Sequence, residues 1–145
     1  MNFQVVDVPS APSSDAQSRK LGLWFGPRLK AAAWNLRPGQ QIVPHMHPDA
    51  DGMVVVLSGS GDFLVYEEDA PNPDMCYVPS PINVVAVPSS GAVGEPGRRP
   101  VGPGSIGFAP AGVFYGLANT GAEPLVAVTV TSSDTDSTVW AARAY

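Results

Sequence analysis

Glycine and proline interrupt this chain before any apolar run can grow long. There are 15 glycines and 16 prolines in 145 residues. They form no periodic or low-complexity tract; they stand between short runs rich in Val, Leu, Phe and Tyr. Such punctuation suits strands joined by turns and leaves little room for amphipathic helices. Strands are expected over residues 3–8, 29–36, 41–47, 53–57, 62–67, 105–109, 114–118 and 125–131. Residues 53–57 are apolar without interruption, which predicts a strand buried on both faces. Residues 58–61 read as a hairpin turn, and Arg37-Pro38-Gly39 and Pro110-Ala111-Gly112 read as turns. The polar stretch 11–20 suits a helical turn, and 137–145 suits a short helix or an edge segment. Residues 69–104 form a long Pro-rich connection interrupted by an apolar piece at 83–87. With no repeat and no linker between two cores, one domain over 1–145 is expected, its barrel at about 29–131 with extensions at each end.

Charged residues make up 14% of the chain and hydrophobic ones 44%, a balance that favours a folded core over disorder. The net charge is −5 with only eight lysines and arginines. No basic stripe is available for a nucleic-acid backbone or an anionic membrane, so neither partner is expected. The N-terminal sequence lacks a basic start followed by an apolar stretch, and nothing approaches a membrane span. Cys76 is the single cysteine, which rules out an intrachain disulfide and suits a small apolar filler. These features lead to the expectation of a cytoplasmic protein.

Chemistry concentrates in Gly39-Gln40-Gln41-Ile42-Val43-Pro44-His45-Met46-His47. In a strand, residues two apart share a face. His45 and His47 then point the same way, where two neutral imidazoles can reach one iron, zinc, nickel or copper ion. They are the only two histidines in the chain, so a His-rich tract does not account for them. An isolated H-x-H on an exposed strand would more simply be a solvated pair.

The surroundings add weight. This stretch resembles the first cupin motif, G-x5-H-x-H-x3/4-E-x6-G, with Gly39, His45, His47 and Gly59 in place. A second stretch resembles the second motif, G-x5-P-x-G-x2-H-x3-N, with Gly104, Pro110, Gly112 and Asn119 in place. The resemblance implies an all-β fold, a small antiparallel β-barrel or double-stranded β-helix of jelly-roll type. It also implies a frequent homodimer, joined through N-terminal strands such as 3–8.

Two family metal ligands are replaced here: Gly52 stands at the Glu position and Tyr115 at the second-motif His position. Asp51, one residue before Gly52, is a candidate third ligand beside His45 and His47 if a bulge turns it inward; Asp49 is a weaker one. Tyr115 suits packing or a hydrogen bond to substrate better than metal ligation, because a neutral phenol is a poor ligand near pH 7. Trp34, Phe63, Phe108 and Phe114 are candidate walls for a small apolar or aromatic ligand. Arg37, Arg98 and Arg99 could meet a carboxylate, though loop solvation explains Arg98 and Arg99 as well.

The expected function is therefore a small-molecule enzyme of oxygenase, isomerase or cyclase type. His45, His47 and Tyr115 would be its catalytic residues, with a divalent transition metal or with proton transfer alone. The alternative is a cupin that binds a small molecule, has lost its metal and does no chemistry.

Overall fold

A computed structural model describes residues 3–8, 19–65, 78–79, 97–132 and 137–140. The described elements are all strands: β1 (Arg19–Phe25), β2 (Lys30–Leu36), β3 (Gln41–Met46), β4 (Gly52–Ser58), β5 (Gly61–Val65), β6 (Val78–Pro79), β7 (Gly97–Val101), β8 (Ile106–Ala109), β9 (Tyr115–Ala118), β10 (Leu125–Thr131) and β11 (Ser137–Trp140). They form two antiparallel sheets, one ordered β1-β2-β10-β4-β8 and the other β6-β11-β3-β9-β5-β7. From β2 to β5 and from β7 to β11, consecutive strands alternate between the sheets. This is the double-stranded β-helix arrangement that the motifs imply.

The alternation explains the short runs. Each strand crosses one sheet and the chain then turns into the other, so the turns must be tight. Gly59 shows the requirement. Its φ is 81°, and a Cβ there would come within 2.7 Å of the Leu125 Cα. The 58–61 turn is therefore a corner between sheets and not a hairpin: β4 pairs with β10 and β8, whereas β5 pairs with β9 and β7.

Most expected strands are present, but several expectations are corrected. Residues 3–8 form no strand; Phe3 and Val5 are 87% and 86% exposed, and no described strand pairs with them. The β4 strand is not buried on both faces. Val54 and Val56 are buried, while Met53, Val55 and Leu57 alternate with them toward the outside. The tail contributes β11, which pairs with β3 and β6. Strands β1 and β7 were not anticipated. Both lie at sheet ends, where one partner suffices and charge and proline are tolerated; Arg98, Arg99 and Pro100 illustrate this on β7. The 83–87 piece, Cys76 and residues 11–18 lie outside the described residues.

The core fills the space between the sheets. Trp34, Leu36, Val54, Val56, Leu125 and Ala127 come from the first sheet, and Ile42, Phe63, Tyr115 and Leu117 from the second. Asn119 ties the ends together. Its side-chain amide donates to the Leu36 and Glu123 carbonyls at 2.9 and 2.8 Å, and its Oδ1 accepts from the Gly121 amide at 3.0 Å. The asparagine of the second motif thus clamps two connections.

Candidate functional site

Strict alternation would put Ile42 and His45 on opposite faces of β3. In the structure Ile42 pairs with Leu117 and His45 with Tyr115, and the register shifts between them. Leu117 and Tyr115 are two apart on β9 and share a face. Three steps on β3 therefore match two on β9, a bulge that brings His45 onto the core face beside Ile42. Gly116 makes room for it: a Cβ there would lie 3.0 Å from Pro44 N and 3.2 Å from Pro44 Cα.

The result is a cluster of three rings. The centroids of His45 and His47 are 5.1 Å apart and edge-on, and Tyr115 lies 4.6 Å from His45 and 6.2 Å from His47. Phe63 stands 6.1 Å from Tyr115. The two imidazoles are neighbours on the inner wall, as the sequence spacing predicts. His45 is buried and His47 is half-buried. His45 Nδ1 donates to the Val43 carbonyl at 3.0 Å. A carbonyl can only accept, so Nδ1 carries the proton and Nε2 keeps the lone pair. Burial, with help from nearby His47, lowers the His45 pKa to about 3. His45 is therefore a neutral imidazole at pH 7.

Tyr115 bridges the barrel. It starts on β9, yet its hydroxyl lies where a side chain on Gly52 of β4 would begin, and a Cβ at 52 would also come within 2.9 Å of the ring Cζ. The ring thus occupies the space released by the missing side chain at 52, so the two departures from the motifs fit each other sterically. Among the described residues the buried hydroxyl has no hydrogen-bond partner, and burial raises its pKa above the ordinary tyrosine value. It remains a phenol, able to donate.

These residues do not fit the metal set that the resemblance implies. Among the described residues no three of His, Cys, Asp and Glu gather to hold an ion. A catalytic metal of zinc type uses three protein ligands, and here two imidazoles stand together. Asp51 does not join them. It is exposed, and its Oδ1 accepts from the Ala111 amide at 2.9 Å, while its main chain exchanges bonds with Ser132. The carboxylate holds the 110–112 turn. Asp49 is exposed as well.

The other candidates divide. Trp34 and Phe63 belong to the core cluster with Tyr115. Phe114 is buried but lies outside that cluster. Phe108 is 68% exposed, because its partner Met53 lies on the outer face of β4; it is no wall of an interior site. Arg98 is bonded to Asp62 at 3.3 Å on the surface. Sequence reasoning missed Lys20, which pairs with Trp34 in register and sets its Nζ 5.3 Å from the indole centroid. Its strand was not expected, so nothing marked it.

Comparison with known proteins agrees with this geometry. No curated protein matches the chain. A double-stranded β-helix protein of Klebsiella pneumoniae superposes with a TM-score of 0.67 at 19% identity, covering 98% of this chain and 100% of that one. A cupin from Desulfovibrio desulfuricans gives 0.62 at 15%, covering 90% and 97%. An oxalate oxidase gives 0.63 at 19%, with 91% of this chain covering 59% of the longer enzyme. At these identities the likeness is one of fold. The cupin family model matches residues 11–144, and with both motifs seated at the corners and inner wall of the barrel, this chain belongs to the cupin family.

Proposed function

We propose that this protein is a small-molecule enzyme of the cupin type that moves protons at His45, His47 and Tyr115, an isomerase- or cyclase-like chemistry. The observation that carries the reading is the Tyr115 hydroxyl, buried beside two imidazoles with no hydrogen-bond partner among the described residues. An unsatisfied buried hydroxyl costs about 1–3 kcal/mol, and such groups in native proteins often have a functional reason.

The roles follow from basicity. A general base works best with a pKa near the working pH. His45, at about 3, is too weak a base for pH 7 and serves as a fixed neutral acceptor through Nε2. His47 is the less buried ring and takes the proton from carbon next to a substrate carbonyl. The Tyr115 O–H donates to the oxygen on which negative charge then develops. Return of the proton from His47 to a different carbon completes an isomerisation, with no other reactant consumed. Trp34 and Phe63 supply the apolar surroundings.

The test is turnover of a candidate carbonyl substrate with solvent-deuterium uptake followed by NMR. His47→Ala is expected to abolish exchange, and Tyr115→Phe to slow it by about 10²-fold, the loss typical of one oxyanion donor. Chelator-treated protein is expected to keep its activity. Loss on chelation with recovery on adding zinc or iron would overturn the reading. Binding without exchange, unaffected by His47→Ala, would assign the chain to the non-catalytic alternative.

A further inference from the structure

The strand beside Gly52 brings a second hydroxyl to the Tyr115 corner. Across the first sheet Thr131 of β10, Gly52 of β4 and Ala109 of β8 stand directly opposite one another. Residues opposite each other in an antiparallel pair share a face. Here that face is the inner one. The Tyr115 hydroxyl lies where a side chain on Gly52 would begin, and Val54, two positions on, belongs to the core. Thr131 therefore points inward. Opposed Cβ atoms are about 4.5–5.5 Å apart, and at Gly52 the Cβ place is taken by the Tyr115 hydroxyl. The pair is held in register by its neighbours: the Asp51 amide donates to Ser132 Oγ at 3.1 Å, and the Ser132 amide donates to the Asp51 carbonyl at 3.0 Å.

The facing of the sheets puts Thr131 on the histidine side. Phe63 of β5 lies against Gly107 of β8, and Tyr115 of β9 lies against Gly52 of β4. The next strand in the first sheet is β10, and the next in the second is β3. Thr131 is thus on the strand opposite the one that bears His45, and Ala109 is on the far side of Gly52. Gly52 and Ala109 are buried and Thr131 is half-buried, so this corner meets solvent on the Thr131 side.

We infer that Thr131 is a second donor to the reacting oxygen, its hydroxyl and that of Tyr115 closing on one substrate carbonyl oxygen from two sides. This rests on the proposed proton transfer and adds a catalytic residue to it. O–H···O bonds are about 2.7–2.8 Å long, so one oxygen seated between two hydroxyls at this spacing accepts from both. Negative charge grows on that oxygen as His47 takes the proton, and two donors fixed beforehand stabilise it more than one does. Threonine suits the task, because its branched Cβ restricts the hydroxyl to few orientations.

The inference is tested by binding of an oxyanion mimic, separately from turnover. The whole protein is titrated with para-nitrophenol, whose phenolate absorbance reports ionisation of the bound probe, and with para-nitroanisole, the methyl ether that cannot ionise. The bound phenol is expected to ionise at a lower pH than the free one. Thr131→Val keeps the shape and removes the hydroxyl. It is expected to weaken phenolate binding by about tenfold, the order of one hydrogen bond to a charged group, and to leave the ether unchanged; Thr131→Ser restores the affinity. Tyr115→Phe should show a similar loss. A loss in Tyr115→Phe with none in Thr131→Val overturns the inference and leaves the proton-transfer reading standing. So does equal weakening of phenolate and ether in Thr131→Val, which marks a packing role. Phenolate that binds no better than the ether, or that is indifferent to Tyr115→Phe, overturns both.

Discussion

Position 52 shows how one missing side chain sets the character of the site. With Gly52 the Tyr115 ring can cross from one sheet to the other; with any larger residue it cannot. Gly52→Ala is expected to destabilise the fold by about 1–3 kcal/mol, the usual cost of overpacking a filled core, as a fall in urea midpoint at unchanged slope. Shortening the ring should relieve the clash, so Gly52→Ala in a Tyr115→His background should cost much less than alone. His45 makes a second prediction at this scale. Its pKa falls from 6.5 unfolded to about 3 folded, so between those values the unfolded chain binds a proton that the native state refuses. Stability is then full above pH 6.5 and declines as the pH falls toward 3, by up to about 1.4 kcal/mol per unit from this residue. Denaturant titrations at several pH values should show the slope, and His45→Gln should remove it.

Among the elements, β3 and the clamps around it do most to place the chemistry. The His pair was legible because period-two alternation over His45-Met46-His47 holds locally. The bulge that aligns it with Ile42 was not, because it depends on close approach of β3 to Gly116 on a strand some seventy positions away. Likewise the second-motif positions Pro110, Gly112 and Asn119 could be read from spacing, but the use of Asp51 to hold their turn could not. A carboxylate one residue from a ligand position gives no sign of which way it points. Strands β1 and β7 escaped notice because edge strands need no apolar alternation, and Lys20 was missed with β1. Asn119→Ala is expected to cost about 2–4 kcal/mol, since two donated bonds and one accepted bond vanish from a buried site; thermal unfolding would measure it. The loss should appear as stability and not as altered chemistry in whatever protein remains folded.

On the scale of the whole molecule, the first sheet presents an unusual outer face. Two full cross-strand rows, Leu21–Ala33–Val128–Val55–Ile106 and Trp24–Ala31–Val130–Met53–Phe108, contain no polar side chain. Ile106 and Phe108 are 49% and 68% exposed. Exposed apolar patches of this kind mark contact surfaces. Between two copies that each carry −5, a face without charged side chains adds no local like-charge repulsion. We propose a homodimer through this face. Light scattering should report a dimer, and Phe108→Glu should give a monomer with an unchanged core.

The order of pairing also constrains how the chain comes together in time. Strands β2 and β4 touch β10 and not each other, and β3 and β5 are joined in the same way by β9. The N-terminal half thus holds four strands whose shared partners are made late. A nascent chain leaving the ribosome cannot join β3 to β5 until the segment through Ala118 has emerged, nor β2 to β4 until the segment through Thr131 has, and the histidines stay without their Tyr115 neighbour until the first of these. Premature termination anywhere before β9 should yield a product that is cleared and not a smaller working barrel.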